Sequence, residues 1–339
     1  MVETAIKEHI CFVIAVSVDA QRGAGKTYSS AKLLYEQYIN EGERFLIFVR
    51  NVKELGNIAE GIFGNYLNDH YPNVSISEKK QDNVFSYVYT TTGSGEEKQS
   101  DIIGYVVPLK NATGVKQYRG IFQSSNVRYF YMDEFMPMDG KYLPNETQLM
   151  KTIYDTVNGN IEDLPIIMTA NTINLGNPYF TMLGLNSKIQ SNTRKLKTET
   201  CIYENVIVEG LASKHTNSAA NKAFKQTGEE YTSNVWLMDN NSLVCRPDNW
   251  GRAIYICTLV YDSNKRVGVY DYYGSPYIYV SSTVDKHCEY IYNVKVDGDL
   301  NIPLLRSAPF LKSLRDKFYK GQVRVSNGEI QRMLIEIFA

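Results

Sequence analysis

At 339 residues, 43% hydrophobic and 22% charged, the chain has the composition of an ordinary soluble protein and enough length for two domains, since a single core stops growing at roughly 250 to 300 residues. A formal net charge of −1 singles out no class of partner, and the longest apolar run, Ile10 to Val18, is about half of what a membrane span needs. The five cysteines (Cys11, Cys201, Cys245, Cys257, Cys288) are odd in number, widely spaced and never in a C-x-x-C pair, which argues against a disulfide framework or a zinc site and for a reducing compartment. No charged-then-apolar leader opens the chain, so the expectation is a cytosolic-type protein with no membrane partner.

In chain order, Ile10 to Val18 predicts a buried strand. The glycine-rich stretch Ala20-Gln21-Arg22-Gly23-Ala24-Gly25-Lys26-Thr27 follows, and Ser29 to Tyr38 predicts a helix. Arg44 to Val49 reads as a second buried strand and Val52 to Tyr66 as a helix. Val84 to Thr90 and Asp101 to Val107, joined by a Gly/Ser-rich turn, predict an antiparallel hairpin decorating the core. A polar loop over Lys110 to Gly120 leads to the strand Val127 to Met132. Glu146 to Val157 reads as a helix, and Leu164 to Thr169 and Cys201 to Val208 as strands. Strands alternating with helices argue for an α/β fold with a mostly parallel, doubly wound sheet.

From Glu209 to Glu230 the chain is polar, either a small helical linker or a disordered stretch. Beyond it come short strands at Ala253 to Tyr261, Arg266 to Tyr272 and Pro276 to Val280, then helices at Leu304 to Lys320 and Asn327 to Phe338. Many of the 26 tyrosines lie after Tyr231, alternating with Val and Ile, which favours strands there. The expected organisation is a first domain over residues 1–208, a linker over 209–235 and a second α/β or α+β domain over 236–339.

The chemistry starts at the glycine-rich stretch. Small residues at Gly23, Ala24 and Gly25 let successive backbone N–H groups curl round phosphate oxygens, the helix that follows points its positive end at them, Lys26 adds a cation, and the Thr27 hydroxyl suits Mg²⁺. Ala20 stands where the usual G-x-x-x-x-G-K-[ST] pattern has glycine. Roughly a hundred residues on, the strand ending Tyr131-Met132 runs into Asp133-Glu134. An aspartate at a strand end orders Mg²⁺ through its water, and an adjoining glutamate polarises the attacking water. The two motifs together point to ATP hydrolysis with Mg²⁺.

Asn171, after the Leu164 strand, either senses the γ-phosphate, if that strand lies between the other two, or caps a turn. Lys116 and Arg119 are either solvated loop cations or donors to a neighbouring subunit's phosphates. Arg22, inside the loop, is placed to meet phosphate or an acid beside it. Lys53, the Lys79-Lys80 pair and six basic residues against one acid between Arg306 and Arg324 are either solvated faces or a track for a nucleic-acid backbone. None of the four histidines has a partner at metal-ligand spacing, and Asp262 and Asp271 are the acids of the first C-terminal hairpin.

These residues resemble the genome-packaging ATPases of phi29-like short-tailed phages. The resemblance runs along most of the chain. Its carriers are Ala20 to Thr27, Phe48-Val49-Arg50 with Lys53 after it, Asp133-Glu134-Phe135, Tyr142-Leu143-Pro144-Asn145-Glu146, and Asn171 followed by Asn177-Pro178-Tyr179-Phe180. It implies an N-terminal P-loop ATPase of the ASCE type, a small linker domain and a C-terminal domain similar to an RNase H-like nuclease but vestigial. It further implies a ring of five subunits at the portal of an empty capsid in the host cytoplasm, pumping double-stranded DNA with ATP, and leaves open a packaging RNA as a further partner. By position, Lys26 and Thr27 would bind phosphates and Mg²⁺, Asp133 would order Mg²⁺, Glu134 would be the catalytic base, and Arg22 would act within its own subunit. One departure stands out: where the family places arginines for a trans-acting finger, this chain has Asn158-Gly159-Asn160-Ile161-Glu162, so Lys116 or Arg119 is the substitute. The competing readings are a helicase or a terminase with an active nuclease, which would call for an acidic metal cluster in the C-terminal half, and a nucleotide-switched scaffold, which has no need of Glu134.

Overall fold

The computed structural model describes residues 1–17, 25–93, 98–137, 142–159, 163–171, 177–185, 188–189, 193–206, 253–262, 265–272, 277–294, 301–319 and 322–338. They fall into two compact units, the first within Met1–Ser17, Gln21–Asn171 and Arg194–Lys214, the second within Thr172–Thr193 and His215–Ala339. The expected linker lies outside the described residues.

The first unit opens with α1 (Val2–Lys7), β1 (Phe12–Val16), α2 (Lys26–Glu41) and β2 (Arg44–Val49). The chain then makes a 3-10 turn (Val52–Glu54) and continues through α3 (Ile58–His70), β3 (Val74–Gln81), β4 (Phe85–Thr92) and β5 (Gln99–Pro108). Short helices α4 (Ala112–Val115) and α5 (Arg119–Gln123) precede β6 (Val127–Met132), α6 (Glu146–Asn158) and β7 (Ile166–Ala170). Strands β8 (Lys195–Lys197) and β9 (Cys201–Asn205) close it. The strands form one nine-stranded sheet in the order β3-β4-β5-β2-β6-β7-β1-β9-β8. Its middle, from β5 to β9, is parallel. Parallel strands are covered on both faces, and β2 accordingly buries every residue from Phe45 to Val49. One cover is α2 and α3, which pack Leu34, Tyr35, Phe63 and Tyr66 against Phe45 and Ile47.

In this unit four expectations change. The hairpin of β4 and β5 is antiparallel as expected, but β5 pairs in parallel with β2, so it extends the main sheet instead of decorating it. The sheet also gains β3, an edge strand whose pattern is mostly polar; Ile76 is its buried residue. The helix expected over Val52 to Tyr66 breaks. A capping box between Asn51 and Glu54 closes the 3-10 turn, and the Glu78 carboxylate on β3 accepts from the N–H groups of Gly56 and Ala59, both at 2.7 Å, which starts α3 afresh. The loop expected over Lys110 to Gly120 is a run of short helical turns, because Ala112, Val115 and Phe122 supply buried apolar anchors beside α6.

The second unit holds α7 (Pro178–Met182) and a five-stranded sheet of β10 (Ala253–Asp262), β11 (Lys265–Tyr272), β12 (Ile278–Ser281), β13 (Ile291–Asn293) and β14 (Val323–Val325), in the order β13-β10-β11-β12-β14. Strand β11 is antiparallel to both β10 and β12, and β13 and β14 join the edges in parallel. The long helix expected from Leu304 starts later, at Leu311–Tyr319, after a 3-10 turn at Leu305–Ser307; Pro309 between them lacks the N–H that a continuous helix needs. The last helix, Gly328–Phe338, is capped by the Asn327 side chain accepting from the Ile330 N–H at 3.0 Å.

Candidate nucleotide site

The C-terminal ends of β1, β7 and β6 lie side by side, with Val16 beside Ala170 and Met132 beside Met168. Ligands of open α/β sheets bind at this edge. Helix α2 begins there at Lys26, after Gly25, whose φ of +76° is the left-handed conformation that favours glycine. Arg22, Gly23 and Ala24 lie outside the described residues.

Three predicted side chains meet here. The Thr27 hydroxyl donates to Asp133 Oδ2 at 3.0 Å. The buried Thr169 on β7 donates to Asp133 Oδ1 at 2.5 Å and lies 3.1 Å from the Tyr131 hydroxyl. The carboxylate is thus oriented by a hydroxyl from each neighbouring element. Burial lowers the Lys26 ammonium pKa to about 8, while the charges of Asp133 and Glu134 draw it back up. Burial, and then the Asp133 charge, push the Tyr131 phenol well above its ordinary range, so it stays a protonated donor. A desolvated cation, a hydroxyl and an oriented carboxylate thus share one sheet edge, groups that could hold a phosphate and a divalent cation.

Glu134 is exposed, with a φ of +46°, a conformation that costs a non-glycine residue about 1–3 kcal/mol and persists only where its surroundings enforce it. They do. The Phe135 N–H donates to the Thr169 carbonyl at 3.1 Å, and the Phe135 ring is fully buried. Arg50, just past β2, donates from Nη1 to the Glu134 carbonyl at 3.1 Å and from Nη2 to the Phe135 carbonyl at 2.5 Å. The same guanidinium forks onto Glu146 at the start of α6, Nε to Oε2 at 3.2 Å and Nη2 to Oε1 at 3.0 Å. A cleft of about 410 Å³ opens beside the acids, lined by Phe48, Arg50, Glu54, Ile58, Asp133 and Glu134. A cavity of about 490 Å³ lies at the other end of the same strands, lined by Glu43, Arg128, Asp163 and Pro165, away from these groups.

The remaining predicted residues are placed separately. Strand β7 does lie between β6 and β1, the condition set for Asn171, which follows β7 and is partly exposed. Lys116 and Arg119 are exposed and have no ion-pair partner among the described residues. Lys53 is exposed on the 3-10 turn. Lys79 and Lys80 sit on β3, where successive side chains point to opposite faces. Lys80 lies on the α3 side, its Cε 3.1 Å from where a Cβ on Gly56 would be, and Lys79 on the other. The two lysines therefore do not form one patch.

Arg50, Glu146 and Thr169 are the residues that motif reasoning passed over. Their signal was present only as letters. Arg50 and Glu146 sit inside the stretches that carry the resemblance, and Thr169 ends an apolar run. The Asn177-Pro178-Tyr179-Phe180 stretch is a helix start: Asn177 Oδ1 accepts from the Phe180 N–H at 2.8 Å, with Pro178 at the first helical position and Tyr179 and Phe180 buried.

The model of the family described as Podovirus DNA encapsidation protein (Gp16) matches residues 7–339. A DNA packaging protein of Bacillus phage phi29 is 22% identical over 331 residues, covering 94% of this chain and 91% of the relative. Its counterpart in Bacillus phage B103 is 23% identical over 333 residues, covering 94% of each. Among solved structures, the bacteriophage Phi-29 viral genome packaging motor assembly aligns with a TM-score of 0.60 at 21% identity, covering 99% of this chain and 97% of that one. The Phi-28 gp11 DNA packaging motor aligns at 0.50 and 15% identity. At such identities the structures speak to the fold alone. The family match spans nearly the whole sequence, and on it the chain belongs to the podovirus DNA encapsidation protein (Gp16) family.

Proposed function

We propose that the chain is an ATP-driven translocase that moves double-stranded DNA through a portal into a viral procapsid. The observation that carries this reading is the convergence of Lys26, Thr27, Asp133 and Glu134 at one sheet edge of a DNA encapsidation protein. With ATP bound, Lys26 would meet its phosphates, with Gly23, Ala24 and Gly25 supplying backbone donors and Arg22 a further cation from the same subunit. Thr27 and Asp133 would hold Mg²⁺, the aspartate through water. Mg²⁺ supplies charge neutralisation between the phosphates. Glu134 would take the proton of the attacking water, and Asn171 would register the γ-phosphate from the neighbouring strand end.

The wider assembly follows the same reading. The ASCE-type P-loop assignment is supported by β7 standing between the phosphate-loop strand and the acid-bearing strand. The RNase H-like assignment of the second unit is supported by the antiparallel β10-β11-β12 meander with β13 parallel beside β10. A homo-oligomeric ring of five, docked on the portal in the host cytoplasm, would let an exposed Lys116 or Arg119 reach a neighbour's phosphates, and the reading leaves open a packaging RNA as a further partner. Lys53 and Lys80 would face DNA backbone, with Lys79 turned to the opposite face of β3. Among the described residues no helix is long and apolar enough to cross a membrane.

Glu134→Gln tests the core of the proposal. Nucleotide binding, followed with a fluorescent ATP analogue, is expected to persist, while steady-state hydrolysis falls by about 10²-fold or more, the scale of a lost general base. Unchanged hydrolysis would remove Glu134 from this role.

A further inference from the structure

The Arg50–Glu146 pair is more closely built than a structural staple requires. The Glu146 side chain is fully buried and that of Arg50 is 14% exposed. Glu146 Oε2 also accepts from the Leu143 N–H at 2.7 Å, so the carboxylate is anchored to its own loop before it grips the guanidinium. Arg50 also donates to two consecutive carbonyls, those of Glu134 and Phe135. The Tyr142 ring lies 5.6 Å from the guanidinium carbon. A buried pair of this kind contributes little net stability, because desolvation offsets the attraction. Its contribution here is geometric: the fork fixes the plane of the guanidinium, and that plane fixes the backbone on which the Glu134 side chain hangs at positive φ.

We infer that Glu146 is a positioning residue for Glu134, acting through Arg50. The inference rests on the reading of Glu134 as the base. With the fork to Glu146 in place, Arg50 is committed to the backbone carbonyls of Glu134 and Phe135, and the Glu134 carboxylate is left exposed toward the cleft. Without the fork, Arg50 can turn toward the Glu134 carboxylate itself and neutralise the group that must take a proton. Because Glu146 is the first residue of α6, a shift of that helix is transmitted to the acid by the same three-part chain.

The test uses the full-length chain and two variants. Glu146→Gln keeps size and one acceptor but weakens the fork. It is expected to leave analogue affinity and KM within about twofold and to lower kcat by about 10- to 100-fold, the scale of a small misplacement of a reacting group. Arg50→Met with Glu146→Leu replaces the buried pair by apolar side chains, which is generally neutral or stabilising. That double variant is expected to melt at the temperature of the unmodified protein and still to turn over at least tenfold more slowly. Turnover that recovers together with the melting temperature would show that the pair only holds the fold and would overturn the inference. So would a Glu146→Gln variant with normal kcat, which decides the matter if the double variant fails to fold. Glu134→Gln run alongside separates the cases: if it hydrolyses normally the base assignment has failed, and if it is dead while the double variant is active only the role of Glu146 has.

Discussion

Lys26 gives the residue scale its clearest pH consequence. Burial holds its pKa at about 8, below the ordinary 10.5, with Asp133 and Glu134 opposing. A triphosphate beside it adds negative charge and raises that value again. Nucleotide binding should therefore take up nearly one proton between about pH 8 and 10, little below pH 7, and weaken as pH rises through 8; calorimetry in buffers of different ionisation heat measures the uptake directly. For stability the sign is the reverse of a paired lysine's. Across the same window the unfolded chain holds more protons than the folded one, so Lys26 makes the nucleotide-free protein more stable as pH rises from about 8 to 10.5. Lys26, Thr27, Asp133 and Glu134 were legible in the sequence because each motif is local and sits at a strand end. The fork of Arg50 onto Glu146 was not: its halves are 96 residues apart, and a buried ion pair leaves no periodic trace.

At the scale of elements, the central strands β1, β2 and β7 were legible as apolar runs, since burial on both faces removes the alternation that polar residues would impose. The elements that escaped are those whose stabilisation is not apolar. Strand β3 is mostly polar and joins the sheet by backbone pairing with β4 along its whole length, and the split of the Val52 helix depends on Glu78, more than twenty residues away in sequence. Close approach between strands is equally invisible from sequence. A Cβ on Gly104 of β5 would sit 2.5 Å from the Phe45 ring and 2.6 Å from the Phe45 carbonyl oxygen on β2. Gly104→Ala should therefore cost at least the ~1–3 kcal/mol typical of overpacking, read as a lowered denaturation midpoint, and should wedge β5 away from β2.

For the whole molecule, the proposed ring and DNA track make two measurable claims. ATPase rate per chain is expected to rise with protein concentration when duplex DNA is present, as subunits complete one another's sites; a rate independent of concentration would argue for self-sufficient monomers. Duplex binding is expected to weaken with salt, and removing the charges of Lys53 and Lys80, which adjoin the start of α3, should lower the salt slope by about 0.9 for each phosphate that the protein no longer neutralises. Lys79→Gln, on the opposite face of the same strand, should leave that slope unchanged. Strand pairing also orders the birth of the molecule. Strands β2 to β5 close on one another within residues 44–108, whereas β1, made first, pairs with β7 and β9, so that Phe12 meets Ile166 and Cys201. Distant pairings form late, and domains emerge from synthesis N-terminus first. The strand that leads into the phosphate loop thus waits for its neighbours, and the part of the site encoded earliest is the part completed last.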